Sequence, residues 1–127
     1  MEVALFLFLL TVKHAVADLM LQSRFGDKYG DKSNLRDSKG YRHALDHSIG
    51  TFLVCIPFVD SVYVTYQLAL SIALLDFVLH FMIDYCKTIY VRRSNVAYES
   101  KKFWTIQSVD QILHYTCYLL YCYIFLM

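Results

Sequence analysis

The sequence predicts an all-α fold: one domain, residues 1–127, built as an integral membrane, antiparallel four-helix bundle. Three observations predict it. Apolar residues make up 57% of the chain and charged residues only 18%, a balance suited to lipid rather than to water. The apolar residues gather into four runs, at about 3–22, 43–59, 62–91 and 103–127. Eleven of the twelve lysines and arginines lie either in 23–42 or between Lys87 and Lys102, the segregation expected of loops held on one side of a bilayer.

The first run, VALFLFLLTVKHAVADLMLQ, is long enough for a helix to cross about 30 Å of hydrocarbon. Glu2 stands where a cleaved signal peptide would carry basic residues, and Lys13, His14 and Asp18 interrupt the apolar stretch. Both features predict a retained membrane helix. Residues 23–42 change character, with three glycines and six basic residues diluted by Asp27, Asp31 and Asp37. No aromatic ladder accompanies these charges, so the stretch reads as a solvated loop and excludes nucleic acid as a partner.

The second run, HALDHSIGTFLVCIPFV, is stopped or kinked by Pro57. Asp60 and Ser61 then leave so short a connection that the next helix must return antiparallel. The third run carries Asp76, His80 and Asp84 as one stripe with Lys87 near its end, and a second basic loop, 92–102, leads to the fourth. The positive-inside rule places both basic loops in the cytoplasm and both termini outside it. Cys55, Cys86, Cys117 and Cys122 sit in or beside apolar runs without CxxC spacing; they read as small core residues, not as a disulfide framework.

Every histidine belongs to a pair spaced by four residues: His14 with Asp18, His43 with His47, His80 with Asp84, and Asp110 with His114. On a helix that spacing puts both side chains on one face. Ionisable groups inside apolar sequence are costly and mark function. With the loops placed as above, all four pairs fall at similar depth toward the cytoplasmic side. The predicted common purpose is a metal site.

Imidazole and carboxylate suit divalent zinc first, with manganese or iron as alternatives. Eight candidate ligands exceed the needs of one tetrahedral ion, so one or two ions are expected, with any surplus groups orienting the ligands. Three aspartates balance two divalent cations carrying one hydroxide between them; with a single ion, Lys13 or Lys87 supplies the balance. Two other readings of the same residues are interhelical hydrogen bonding without an ion and a proton or cation path. Asp46 and Asp76 read as supporting or capping groups, Gln22, Gln107 and Gln111 as hydrogen-bonding partners, and the tyrosines of the fourth run as packing.

The runs HAVADLMLQ at His14, HALDH at His43, HFMIDYCK at His80 and DQILH at Asp110 resemble the signature blocks of the DUF3307 family, small membrane proteins of bacteria and their phages. The resemblance covers nearly the whole chain in order. It implies the bacterial inner membrane, or a host membrane if the chain is phage-encoded. The paired residues are also similar to those of membrane-bound metal-dependent hydrolases, although the second block here has a bare histidine pair.

Two functions are expected. One is a metal-dependent hydrolase acting on a phosphoester or phosphoanhydride of a lipid or lipid-linked substrate at the cytoplasmic leaflet. There the metal activates water and polarises the phosphoryl oxygen, while Lys87 and Lys13 stabilise negative charge. The alternative is a non-enzymatic membrane protein whose metal or polar network holds the bundle and whose loops bind a protein partner.

Overall fold

The structure is a computed structural model in which residues 2–21, 38–59 and 64–126 are described. Most of the expected 23–42 loop, Gln22 and the connection at 60–61 lie outside the described residues. Helix α1, Glu2–Ala15, begins with an acidic residue in its first turn, where it meets the positive end of the helix dipole. A wider π-helical stretch, Val16–Leu21, continues it. Helix α2, Ser38–Cys55, gives way to a short 3₁₀ turn, Ile56–Phe58, at Pro57, since proline has no N–H to extend the ladder. Helix α3 is Tyr66–Arg93 and α4 is Lys101–Leu126.

The all-helical expectation is met among the described residues, with several boundaries moved. Helix α2 starts at Ser38, ahead of the expected His43. Tyr41 stacks on Phe81 of α3 with ring centroids 4.6 Å apart, a tertiary contact that favours the added turn. Helix α3 starts later than expected, where the Thr65 hydroxyl accepts a hydrogen bond from the Leu68 N–H. Ser100 does the same for Phe103 at the start of α4, so the connecting stretch shrinks to 94–100. Both are the capping role for which serine and threonine are preferred.

Chain direction follows from which ends meet. Phe6 near the start of α1 stacks on Phe125 at the end of α4, with centroids 4.6 Å apart, and meets Phe58 just after α2 edge-on at 5.5 Å. Val64 and Ala69 at the start of α3 belong to the same buried cluster. Neighbours in the chain therefore run antiparallel, and α1 closes the ring by packing on both α2 and α4. Gly50 lets α1 and α2 approach closely, because a Cβ there would stand 3.3 Å from the Lys13 side chain.

Polarity is inverted relative to a soluble bundle. Beyond the aromatic end, the interior holds Lys13, His14, His43, His47, Asp76, His80, Asp84, Asp110 and His114, all buried. Phe8, Leu19, Leu53, Leu74, Ile112 and Leu119 are each more than half exposed. Two helical segments, Glu2–Leu21 and Tyr66–Arg93, are long and apolar enough to cross a membrane. Helices α2 and α4 fall short of that measure. Arg42, His43, Asp46 and His47 crowd the first turns of α2, and Lys101, Lys102, Gln107, Asp110 and Gln111 those of α4.

Candidate metal centre

Each helix delivers its pair through the i,i+4 geometry that puts two side chains on one inward stripe. The eight residues converge. Asp18 lies at the centre of one half: its Oδ1 is 3.0 Å from His47 Nε2 and 3.1 Å from His43 Nε2, and its Oδ2 is 3.1 Å from His14 Nε2. Asp84 organises the other half, with Oδ2 3.4 Å from His43 Nε2 and 3.6 Å from His80 Nε2, and Oδ1 3.7 Å from His114 Nε2. Asp110 Oδ1 lies 3.6 Å from His114 Nε2. His43 joins the halves by facing both carboxylates.

These spacings carry chemical meaning. A tetrahedral ion with bonds of about 2.0–2.1 Å sets neighbouring ligand atoms about 3.3 Å apart, which the 3.0–3.7 Å separations bracket. Asp18, His43, His47 and His80 offer ligand atoms all within 4.8 Å of one another, as do His80, Asp84 and His114. The buried His/Asp groups could therefore hold a metal ion. His80 is common to both sets and only 2% exposed. Neither of its ring nitrogens has a hydrogen-bond partner among the described residues, and its 3.6 Å approach to Asp84 is too long to be one. A buried imidazole without hydrogen bonds is costly; an ion at Nε2 would remove that cost. His80 also lies face to face with His47 and His114, with centroids 3.6 and 4.2 Å apart, an arrangement of neutral or ligating rings rather than of three imidazolium ions.

A second polar layer lies between this cluster and the aromatic end. Lys13 Nζ donates to Asp76 Oδ2 at 2.7 Å and to the His47 carbonyl at 3.1 Å. Thr51 donates to the same carboxylate oxygen at 2.7 Å and Tyr121 to Oδ1 at 3.1 Å. Tyr118 OH and His14 Nδ1 are hydrogen-bonded at 2.7 Å. When Nδ1 carries the proton, Nε2 presents its lone pair toward Asp18, the orienting bond that ligating histidines commonly have. At the opposite end, Lys87 Nζ meets Asp110 Oδ2 at 2.8 Å and Asp84 Oδ1 at 3.4 Å. Gln111 Nε2 reaches Asp110 Oδ2 at 3.4 Å. The side chains of Asp18 and Lys87 retain 25% and 21% exposure, so the cluster is reached from this end.

Of the residues singled out in the sequence, all eight ligand candidates and Lys87 stand together. Lys13 stands one layer away, committed to Asp76, and Asp46 borders the outer groove between α1 and α2. Tyr118, Tyr121 and Thr51 were missed as site residues. A signal for them exists in the spacing: Asp110, His114, Tyr118, Tyr121 and Phe125 continue one stripe at steps of four, four, three and four, and Thr51 follows His47 by four.

No curated protein and no solved structure matches the chain. The profile of the family described as "Protein of unknown function (DUF3307)" matches residues 5–127, the span that contains all four pairs, and the chain belongs to that family.

Proposed function

We propose that this chain is an integral membrane protein of the bacterial inner membrane, or of a host membrane if phage-encoded, and acts as a metal-dependent hydrolase. Its substrate is a phosphoester or phosphoanhydride of a lipid or lipid-linked molecule, reached from the cytoplasmic leaflet. The membrane part of this reading is supported by the inverted polarity, since large apolar side chains on all four helices face outward while charges face inward. The basic residues beside the exposed end of the cluster, among them Arg93, Lys101 and Lys102, favour the cytoplasmic face there.

The single observation that carries the catalytic part is the convergence of four helices' histidines and aspartates, with His80 buried and without a hydrogen-bond partner among the described residues. Zinc is the first choice of ion for an N/O set of this kind. Two ions suit the two halves, one around Asp18, His43 and His47 and the other around His80, Asp84 and His114. Bound there, the metal would supply an activated water and Lewis acidity. Lys87, at the exposed end, stabilises charge on a phosphoryl group. Lys13 acts at a distance, holding α2 through the His47 carbonyl and balancing Asp76.

One observation favours the second function, a non-enzymatic protein whose network holds the bundle: eight candidate ligands are enough to saturate one ion and leave no position for substrate. A panel of lipid phosphates and pyrophosphates presented to zinc-loaded protein separates the two. The hydrolase reading expects phosphate release that falls to background in Asp84→Ala; equal background release by both proteins from every lipid would reject it.

A further inference from the structure

Two grooves run along the outside of the bundle, and their chemistry differs. The groove between α1 and α2 is apolar along its length and bordered by Asp46. Its lysine, Lys13, is only 8% exposed at its side chain and committed to Asp76, and among the described residues no other basic residue lines this groove. The groove between α3 and α4 has a volume of about 530 Å³. Met82, Ile83, Cys86, Ile106, Val109 and Leu113 form its apolar walls, with Lys87 and Asp110 as the charged groups lining it. Lys87 bridges Asp110 at 2.8 Å and Asp84 at 3.4 Å but, unlike Lys13, keeps 21% exposure at its side chain and so can meet an anion from the groove; Asp110 touches the ligand cluster through His114. Toward its mouth the groove reaches Tyr90, over whose ring Lys102 Nζ sits 5.5 Å from the centroid. Arg93 and Lys101 are exposed at the same end.

A mostly apolar trough that leads past Lys87 to a mouth carrying Arg93, Lys101 and Lys102 has the polarity of an anionic amphiphile. We infer that the α3–α4 groove is the lateral binding site for one chain of a lipid phosphate, with the phosphate held beside Lys87 and the chain lying along Met82, Ile83 and Val109. This rests on the membrane reading and deepens the hydrolase reading, because it names the route by which the substrate head reaches Asp84 and His114. A diffusible phosphate would use the mouth but gain nothing from the walls. A zwitterionic lipid would use the walls, but its choline would face Lys87 and Lys102 at a cost.

Cys86 provides a native reporter, as it lines this groove and is exposed, whereas Cys55 and Cys122 are buried. The full chain carrying Cys117→Ser, purified in detergent, is labelled with a maleimide in the presence of lysophosphatidic acid, lysophosphatidylcholine of the same chain length, or inorganic phosphate. At ten times its Kd, lysophosphatidic acid should slow Cys86 labelling about tenfold, in proportion to the occupied fraction. The other two should leave the rate near its starting value. Val109→Trp, which fills the groove, should abolish protection while metal content is unchanged. Lys87→Met should bring lysophosphatidic acid down to the level of lysophosphatidylcholine.

Equal protection by both lipids, protection by phosphate alone, or no protection at all would each overturn the site. Protection without phosphate release from any lipid would retain the groove and remove the hydrolase. Phosphate release without protection would do the reverse.

Discussion

Lys13 and Asp76 form the most buried lysine–aspartate pair among the described residues, 8% and 2% exposed at their side chains. Neither is a candidate ligand, although Lys13 Nζ also lies 3.4 Å from His47 Nδ1, so their cost must be met by what they hold. Thr51 and Tyr121 donate to the carboxylate, and the His47 carbonyl accepts a further hydrogen bond from the ammonium. Removing one partner of such a pair leaves a buried charge and costs about 3–5 kcal/mol, whereas replacing both by apolar groups is often neutral. Asp76→Leu should therefore lower unfolding stability in detergent by that amount, and Lys13→Met/Asp76→Leu should regain most of it while keeping its metal. A double variant no more stable than Asp76→Leu would show that the pair is held for reasons other than charge balance. At this scale the sequence was informative about residues that must be buried and ionisable, because such residues stand out against apolar neighbours. It was uninformative about tyrosine, whose ring belongs equally in a core or a membrane interface. That ambiguity hid the hydrogen bonds of Tyr118 and Tyr121.

Four inward stripes were readable because helical spacing is fixed: a pair at i,i+4 can be assigned to one face without knowing the partner helix. The π-helical stretch after Ala15 was not readable, since its period differs from that of an α-helix by less than a residue per turn. It carries Asp18, the carboxylate that meets three histidines. π-Helical turns of this kind recur at functional sites. Deleting Val16, which is 38% exposed, shortens the interval from His14 to Asp18 by one residue and turns the carboxylate off the stripe. The deletion should weaken zinc binding, whereas Val16→Leu should leave it unchanged; metal titration of the two proteins reads the difference, and equal affinity would mean that the register of this segment does not position Asp18. Helix ends were legible only within a few residues, because Thr65 and Ser100 cap where the local hydrogen bonding favours them, not where hydropathy changes.

Across the whole molecule, the bundle is sealed at one end by Phe6, Phe58 and Phe125 and opens toward Asp18 and Lys87 at the other. The polar layer of Lys13 and Asp76 separates that plug from the histidines. Among the described residues, the partly exposed side chains of Asp18 and Lys87 put the open side of the cluster at the end away from the aromatic plug. The all-helical class was legible from run lengths, and the convergence of the four pairs from their shared spacing. Four spanning helices were expected, whereas two described segments are long and apolar enough to cross a membrane, because α2 and α4 spend their first turns on the charged residues that build the site.

The central claim is that these eight residues exist to hold metal, and elemental analysis of the detergent-purified chain tests it most directly. The protein is loaded with zinc, freed of excess, and measured beside Asp84→Ala and His80→Ala. One or two equivalents per chain are expected for the natural sequence, with a loss in each variant and release on acidification as the imidazoles take up protons. A natural sequence that retains no stoichiometric zinc, manganese or iron would contradict the account, leaving the cluster as hydrogen-bonded glue between helices.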